Sequence, residues 1–242
     1  MHALPDSRFH LPPGDVHVWY AALENELNAE RLQSLLSPDE LQRANRFRFG
    51  EHRRRFVIAR GCLRRLLEEY LQTDARDIVF TYAVEGKPSL DVRHRTDLRF
   101  NISHSGEIAA YGFTLGRNIG IDVELMSRDV DVDEIPKRFF SCAEQQWMST
   151  LQGEEKVQGF FNCWTRKEAY VKAVGAGLSL PLRDFDVSLL PAEPARLVAT
   201  RPDVTIAHRW QMASLNFGSG YAGAVIVEGE INKLENRQFI PF

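Results

Sequence analysis

The chain has 242 residues, of which 44% are hydrophobic and 26% charged, and this composition excludes disordered and fibrous proteins. Its formal charge of −3 argues against a protein that coats nucleic acid by bulk electrostatics. Three cysteines without a CxxC pair argue against a disulfide framework and favour a reducing compartment. The sequence begins without the features of a signal peptide and has no apolar run of about 18 residues. We therefore expect a cytoplasmic globular protein with neither a membrane nor a nucleic-acid partner.

The first third of the chain predicts mainly helices. Residues 1–15 have the composition of an irregular lead-in, and residues 17–20 predict a short strand. Ser37 can cap a helix that has Pro38 in its first turn, and Glu40 completes the capping box. Apolar residues at three- and four-residue spacing predict a second helix over about 54–70.

The middle of the chain changes to short segments of β-branched and aromatic residues. They predict antiparallel strands over 78–84, 98–102, 108–115 and 118–125. A second capping box, Ser141 to Glu144, and a helix over 160–174 that stops at Gly175 come next. Alternating segments then predict strands over 185–189, 196–200, 204–214 and 221–227. This order predicts an α+β protein made of two halves with similar element order.

Two carboxylates lie on one face of the strand predicted to contain residues 120–124, GIDVE. Because strand side chains alternate, Asp122 and Glu124 face one way while Ile121 and Val123 face the other. Carboxylates two residues apart, about 6.6–6.8 Å along a strand, can share one hard cation. The same pattern also fits a half-buried strand with acids on its solvated face.

The helix predicted over 160–174 places Trp164, Glu168 and Lys172 on one face. Glu168 and Lys172 can form an ordinary surface ion pair. Alternatively, Glu168 supplies a third carboxylate and Lys172 a positive charge for a phosphate group. The residues alone leave both interpretations open.

Anion-binding groups occur in two places. Residues 100–106, FNISHSG, end a predicted strand in small polar residues with one imidazole, His104, although an ordinary Ser/Gly turn has the same composition. Nine arginines and only two acids lie between residues 40 and 66. They suit phosphate or an acidic partner, unless they only solvate the outer face of a helix.

Taken together, these segments resemble the Sfp-type branch of the 4′-phosphopantetheinyl transferase superfamily. Five sequence strings match the family and occur in its order: Gly86-Lys87-Pro88, FNISHSG at 100–106, GIDVE at 120–124, Arg138-Phe139-Phe140-Ser141-x-x-Glu144, and Trp164-x-x-Lys167-Glu168-x-x-x-Lys172 followed by Gly175-x-Gly177-Leu178. The resemblance covers about residues 37–189. It implies two similar α+β halves, 1–116 and 117–242, related by a pseudo-twofold axis, with the active site in the cleft between them.

The implied activity is transfer of 4′-phosphopantetheine from coenzyme A to a serine of an apo carrier protein, with release of adenosine 3′,5′-bisphosphate. Acyl and peptidyl carriers of fatty-acid, polyketide and nonribosomal peptide synthesis are the implied acceptors. Sfp-type chains supply both halves themselves, so the resemblance implies a monomer. The implied cofactor is Mg²⁺, with Mn²⁺ as an alternative.

The resemblance also implies roles for individual residues. The metal ligands would be Asp122, Glu124 and Glu168, and Lys172 would contact the pyrophosphate of coenzyme A. The base that takes the proton of the carrier serine would be Glu168, or else Glu144. The residues implied to bind the rest of coenzyme A are His104, Arg55 and Arg43 at its 3′-phosphate and Lys87 and Ser103 at its nucleotide. Glu40 departs from the family, because many relatives carry a lysine there.

Two other hypotheses remain open. The chain could bind coenzyme A or a nucleotide without catalysis, in which case binding would survive loss of the acidic residues. It could also bind nucleic acid through the arginine-rich helix, which requires an affinity that falls steeply with salt.

Overall fold

A computed structural model describes residues 7–83, 86–127 and 129–242. The first six residues of the expected lead-in, and Val84 of the strand predicted over 78–84, lie outside these ranges. The helices within them are α1 (Glu26–Gln33), α2 (Pro38–Ala44), α3 (Gly50–Leu71), α4 (Glu134–Phe139), α5 (Cys142–Ser149) and α6 (Gly153–Val174). The strands are β1 (Val16–Ala22), β2 (Phe80–Tyr82), β3 (Pro88–Leu90), β4 (Leu98–Ser105), β5 (Ile108–Leu115), β6 (Ile119–Leu125), β7 (Phe185–Val187), β8 (Leu197–Thr200), β9 (Trp210–Ser214), β10 (Tyr221–Glu228) and β11 (Leu234–Gln238).

The same order of elements occurs twice along the chain. A strand (β1 or β6) precedes three helices, a two-stranded sheet (β2–β3 or β7–β8) and a final pair of antiparallel strands (β4–β5 or β9–β10). The larger sheets also repeat one strand order, β1-β5-β4 in the first half and β6-β10-β9 in the second, with antiparallel neighbours. The expected α+β fold of two similar halves is therefore confirmed.

The last strand crosses between the halves. β11 pairs in parallel with β1, so residues near the end of the chain extend the sheet of the first half. The division into 1–116 and 117–242 stays a prediction, and β11 is an element that does not follow it.

Local signals set the ends of the helices that carry the site. The capping box of Ser37 and Glu40 starts α2, and that of Ser141 and Glu144 starts α5, as predicted. α6 ends where Gly175 adopts a left-handed conformation with φ of 73°. It begins seven residues before the predicted residue 160, because Val157 is the one large apolar side chain among residues 153–159 and gives little periodic signal, although it packs against the core. None of the described helices could span a bilayer.

Strand β6 packs closely on α6 at Gly120. A Cβ atom at this position would lie 1.9 Å from the carbonyl oxygen of Ala169 and 2.5 Å from the nitrogen of Ala173. The neighbours of Gly120, Ile119 and Ile121, are buried in a core cluster that includes residues of β1 and β10. The strand is therefore held against α6 at one level, which fixes where its carboxylates lie relative to that helix.

Candidate active site

A cavity of about 870 Å³ opens between the two halves. Eight of the predicted site residues line it, namely Arg43, Lys87, Ser103 and His104 from the first half and Asp122, Glu124, Glu168 and Lys172 from the second. Trp164 lines it as well, so the predicted face of α6 does point into the cleft.

Side chains of β4 hold the carboxylates of β6. Ser103 donates a hydrogen bond from Oγ to Oδ1 of Asp122 at 2.8 Å, and Ser105 donates from Oγ to Oε2 of Glu124 at 2.7 Å. On the same face of β4, the side-chain oxygen of Asn101 accepts from the backbone nitrogen of Ile121 at 2.9 Å. Because β4 and β6 belong to different sheets, these polar side chains replace a backbone ladder and join the two halves at the site.

Lys172 neutralises Asp122. Its ammonium donates to Oδ1 of Asp122 at 2.6 Å and to Oγ of Ser103 at 2.8 Å. Asp122 is only 2% exposed, and its other oxygen, Oδ2, is buried without a hydrogen-bond partner in the described part of the chain. A buried acceptor left unsatisfied costs about 1–3 kcal/mol, so Oδ2 favours a ligand that supplies positive charge.

Burial and the negative charges of the cavity carboxylates raise the pKa values of Glu124 and Glu168. Burial, and next the negative charge of Asp122, raise the pKa of Glu168, while Lys172 partly offsets them. Burial and Asp122 likewise raise the pKa of Glu124, and a smaller contribution comes from Glu168. Repulsion of this kind requires the three groups to be near neighbours.

The three carboxylates are not arranged as a preformed metal site. Within residues 7–83, 86–127 and 129–242, no three Asp, Glu, His or Cys side chains come close enough to hold a metal ion in this conformation. Their chemistry nevertheless fits Mg²⁺, which takes oxygen ligands and needs only one or two carboxylates besides water and substrate phosphates. The assignment of Asp122, Glu124 and Glu168 to a metal stays a prediction.

Lys87 ties the first half to α6. Its ammonium donates to the carbonyl oxygen of Lys172 at 2.5 Å and lies 3.4 Å from that of Ile119. Burial, followed by the charge of Lys172, lowers the pKa of Lys87 to about 8. The ammonium that was predicted to contact nucleotide is thus already bonded to the backbone of both β6 and α6.

His104 and Arg43 supply further positive or donor groups to the cavity. Burial, and next the positive charges of Lys172 and Arg55, lower the pKa of the His104 imidazole. The Arg43 guanidinium lies 5.4 Å from the ring centroid of Phe56, which supports its position at the cavity wall.

Glu144 requires a correction. Its carboxylate is fully buried, accepts hydrogen bonds from the backbone nitrogens of Ser141 and Val187 at 2.8 Å each, and pairs with the ammonium of Lys167 at 2.8 Å. These contacts use both oxygens in the core away from the cavity lining. The alternative prediction of Glu144 as the base is therefore wrong, because the group has no path to a substrate proton.

Arg55 is also placed differently from the prediction. Its guanidinium donates to Oε1 of Glu107 at 2.5 Å and pairs with Glu51, and it does not line the cavity. It remains near enough for its charge to act on His104. Direct contact of Arg55 with the 3′-phosphate has no support from this arrangement.

Three residues at the site were not predicted individually: Asn101, Ser105 and Arg60. The first two lie at alternate positions with Ser103 on β4, so strand periodicity could have placed them on the face towards β6. Arg60 lines the cavity although it lies in the apolar stretch of α3, and an arginine among core positions was the available signal.

Comparison with known proteins agrees with this arrangement over most of the chain. Residues 118–226 match the profile of the 4′-phosphopantetheinyl transferase superfamily, and residues 22–112 match that of the 4′-phosphopantetheinyl transferase N-terminal region. The 4′-phosphopantetheinyl transferase HetI of Nostoc sp. (strain PCC 7120) is 39% identical over 217 residues, which cover 89% of this chain and 88% of that protein. The chain belongs to the 4′-phosphopantetheinyl transferase family.

Other relatives of this transferase agree at lower coverage. The 4′-phosphopantetheinyl transferase Sfp of Bacillus subtilis (strain 168) is 35% identical over 160 residues, which cover 66% of this chain and 69% of that protein. A crystal structure of a holo-(acyl-carrier-protein) synthase from Bacillus anthracis, in complex with CoA (3′,5′-ADP), superposes on 47% of this chain and 96% of that chain. Its identity is 24% and its TM-score 0.36.

Proposed function

We propose that this transferase moves the 4′-phosphopantetheine group of coenzyme A to a serine of an apo acyl or peptidyl carrier protein. Adenosine 3′,5′-bisphosphate is the second product. The observation that carries this proposal is the cavity between the halves, in which Asp122, Glu124 and Glu168 lie beside the ammonium of Lys172. Acidic groups and an ammonium at one point suit a diphosphate together with a divalent cation.

The carboxylates of Asp122, Glu124 and Glu168 would hold Mg²⁺, or Mn²⁺ in its place. When bound, the ion supplies positive charge to the pyrophosphate and to its leaving group. The buried, unpartnered Oδ2 of Asp122 and the raised pKa of both glutamates support this role, because each feature favours added positive charge.

Glu168 is the residue best placed to take the proton of the carrier serine. A serine hydroxyl attacks poorly until a base accepts its proton. Burial and the charge of Asp122 raise the pKa of Glu168, which makes its carboxylate a stronger base than an exposed one. With Glu144 excluded by its core contacts, Glu168 performs this step directly or through a water molecule.

Cationic and hydroxyl groups of the cavity bind the donor. Lys172 donates to the pyrophosphate and stabilises the departing bisphosphate. Ser103 and Lys87 contact the nucleotide portion, and His104 and Arg43 contact its 3′-phosphate. We infer a monomer because residues of one chain line the cavity from both sides, with 1–116 and 117–242 as approximate halves. The free thiols of Cys62, Cys142 and Cys163 fit a reducing, cytoplasmic location.

Intact mass spectrometry of apo carrier domains tests the proposal. The protein is incubated with coenzyme A and Mg²⁺ and a panel of acyl and peptidyl carriers, and we expect at least one carrier to gain the mass of phosphopantetheine. Chelation of the metal should stop the reaction, and a carrier with its serine replaced by alanine should stay unmodified. No mass gain on any carrier would refute the proposal.

A further inference from the structure

The two carboxylates of β6 are held by different numbers of hydrogen bonds. Asp122 receives two at Oδ1, one from the ammonium of Lys172 at 2.6 Å and one from the hydroxyl of Ser103 at 2.8 Å. Within the described part of the chain, the side chain of Glu124 receives one, from Oγ of Ser105 to Oε2 at 2.7 Å. The orientation of the Glu124 carboxylate therefore depends on a single hydroxyl group.

The geometry gives the proton of this hydroxyl to Glu124. Oγ of Ser105 also lies 3.1 Å from the backbone nitrogen of Leu125. A backbone nitrogen donates its hydrogen and a serine hydroxyl has one proton, so Oγ accepts from Leu125 and its own proton is left for the carboxylate. A hydrogen bond to a carboxylate is stronger than one between neutral groups. Ser105 thus joins the backbone of β6 to the side chain of Glu124.

The turn after Ser105 fixes this residue in place. Ser105 pairs with Ile108 at the end of the β4–β5 hairpin, and Gly106 in the turn has φ of 54°. A Cβ atom at Gly106 would lie 2.7 Å from the hydroxyl oxygen of Tyr221 in β10, and the backbone nitrogen of Glu107 donates to that oxygen at 3.1 Å. The turn of the first half therefore packs against the second half, which holds the Ser105 hydroxyl close to β6.

Electrostatic repulsion acts against the orientation that Ser105 holds. Glu124 is half-buried in the cavity lining, and the negative charges of Asp122 and Glu168 repel it. The ammonium of Lys172 bonds to Asp122 instead. Because the hydrogen bond to Oε2 opposes this repulsion, it keeps the carboxylate beside Asp122 and leaves Oε1 for a ligand in the cavity.

We propose that Ser105 is a positioning residue, whose hydroxyl holds Glu124 in the orientation that binds the divalent cation of the reaction. The inference rests on the proposed function, which assigns Glu124 to that cation. Groups that hydrogen-bond to metal ligands orient them, and their loss typically costs about 10–100-fold in metal affinity. One half of the protein thereby supplies the group that orients a metal ligand of the other half.

Two substitutions of equal shape test the role of the hydroxyl, because threonine keeps it and valine has a methyl group in its place. With coenzyme A present, electron paramagnetic resonance should show an Mn²⁺ affinity about 10–100-fold lower in Ser105→Val and within about threefold of wild type in Ser105→Thr. Thr81→Val is the matched control. It removes an exposed hydroxyl that bonds to Ser89 and does not line the cavity, so it should bind Mn²⁺ like wild type.

A double-mutant cycle tests whether Ser105 acts through Glu124. In a Glu124→Ala background there is no carboxylate to orient, so Ser105→Val should cause no further loss of Mn²⁺ affinity. The Mg²⁺ dependence of the transfer rate separates this role from a general structural one. Ser105→Val should need about 10–100-fold more Mg²⁺ for its half-maximal rate, and its kcat should return towards wild type at saturating Mg²⁺.

Three results would each overturn the inference: wild-type Mn²⁺ affinity in Ser105→Val, equal losses in Ser105→Val and Ser105→Thr, or a full loss that persists in the Glu124→Ala background. The intact-mass carrier assay separates this failure from failure of the proposed function. An Mn²⁺ affinity that depends on the hydroxyl supports the inference even if no carrier is modified. Carrier modification by wild-type protein, together with unchanged Mn²⁺ affinity in Ser105→Val, contradicts the inference alone.

Discussion

Replacement of Gly120 by alanine tests how the fold positions the carboxylates. The added Cβ would lie 1.9 Å from the carbonyl oxygen of Ala169 and 2.5 Å from the nitrogen of Ala173, and these backbone atoms cannot turn aside as a flexible side chain would. Overpacking costs about 1–3 kcal/mol and occasionally more, and contact with a helix backbone belongs at the upper end. For a chain of this size, about 3 kcal/mol corresponds to a fall in Tm of roughly 6–12 °C.

The same clash should disturb the site. β6 must move away from α6, which separates Asp122 and Glu124 from Glu168. We therefore expect Gly120→Ala to lower carrier modification even at temperatures where circular dichroism shows it folded. Gly50→Ala is the control, because a Cβ there meets no atom within 4 Å, and its Tm should stay within about 2 °C of wild type. A Gly120→Ala protein with wild-type Tm and activity would refute the close packing of β6 on α6.

Three further predictions concern single charged groups. Glu168→Gln should lower the transfer rate by a factor of about 10²–10⁴ and leave Tm unchanged. Glu155→Gln, which changes an exposed residue on the same helix, should keep the wild-type rate. Equal rates in the two variants would refute the role of Glu168 as the base. Glu144→Gln should lower the free energy of unfolding by about 3–5 kcal/mol in urea unfolding, because it leaves the buried Lys167 ammonium without its counter-ion. In carrier assays it should not lower the rate per folded molecule. Unchanged stability with a strongly reduced rate would restore Glu144 as a base. The pKa of Lys87 is about 8 in the folded protein and 10.5 ordinarily, so the unfolded chain binds more protons than the folded one between pH 8 and 10.5. The free energy of unfolding should therefore rise with pH over this interval, by up to about 3 kcal/mol. Urea unfolding at about pH 7.5 and 10 should show this rise in wild type and not in Lys87→Met; identical pH dependence would contradict it.

The parts of the site that local periodicity controls could be predicted from the sequence. Alternation along β6 places Asp122 and Glu124 on the cavity side while Ile121 and Val123 are buried. Helical spacing likewise places Glu168 and Lys172 on one wall of the cavity. Both patterns depend only on residues within one element, so the fold could not easily reverse them.

The sequence could not show which of two similar charged residues belongs to the site, because contacts between residues distant in sequence determine this. Arg55 and Arg60 lie five residues apart on α3 and so point in different directions. Besides its local pair with Glu51, Arg55 is held by Glu107 in the turn between β4 and β5, a contact that the spacing on α3 does not reveal. Both capping-box glutamates, Glu40 and Glu144, are buried in ion pairs that link separate elements.

Strand β11 illustrates the same limit for the fold. Its sequence, LENRQ, has no apolar alternation, and its pairing partner β1 lies more than 200 residues earlier. The pairing depends on backbone hydrogen bonds at an open sheet edge, which any side chains can accompany. A strand of this kind gives little sequence signal, and the division of the chain into two halves overlooks it.

Binding of Mn²⁺, followed by electron paramagnetic resonance with coenzyme A present, tests the central claim most directly: Asp122, Glu124 and Glu168 hold one divalent cation beside the pyrophosphate. We expect one bound ion per wild-type chain, and an affinity at least about tenfold lower in Asp122→Asn and Glu168→Gln but unchanged in Glu155→Gln. Equal affinity in all four proteins would contradict the claim.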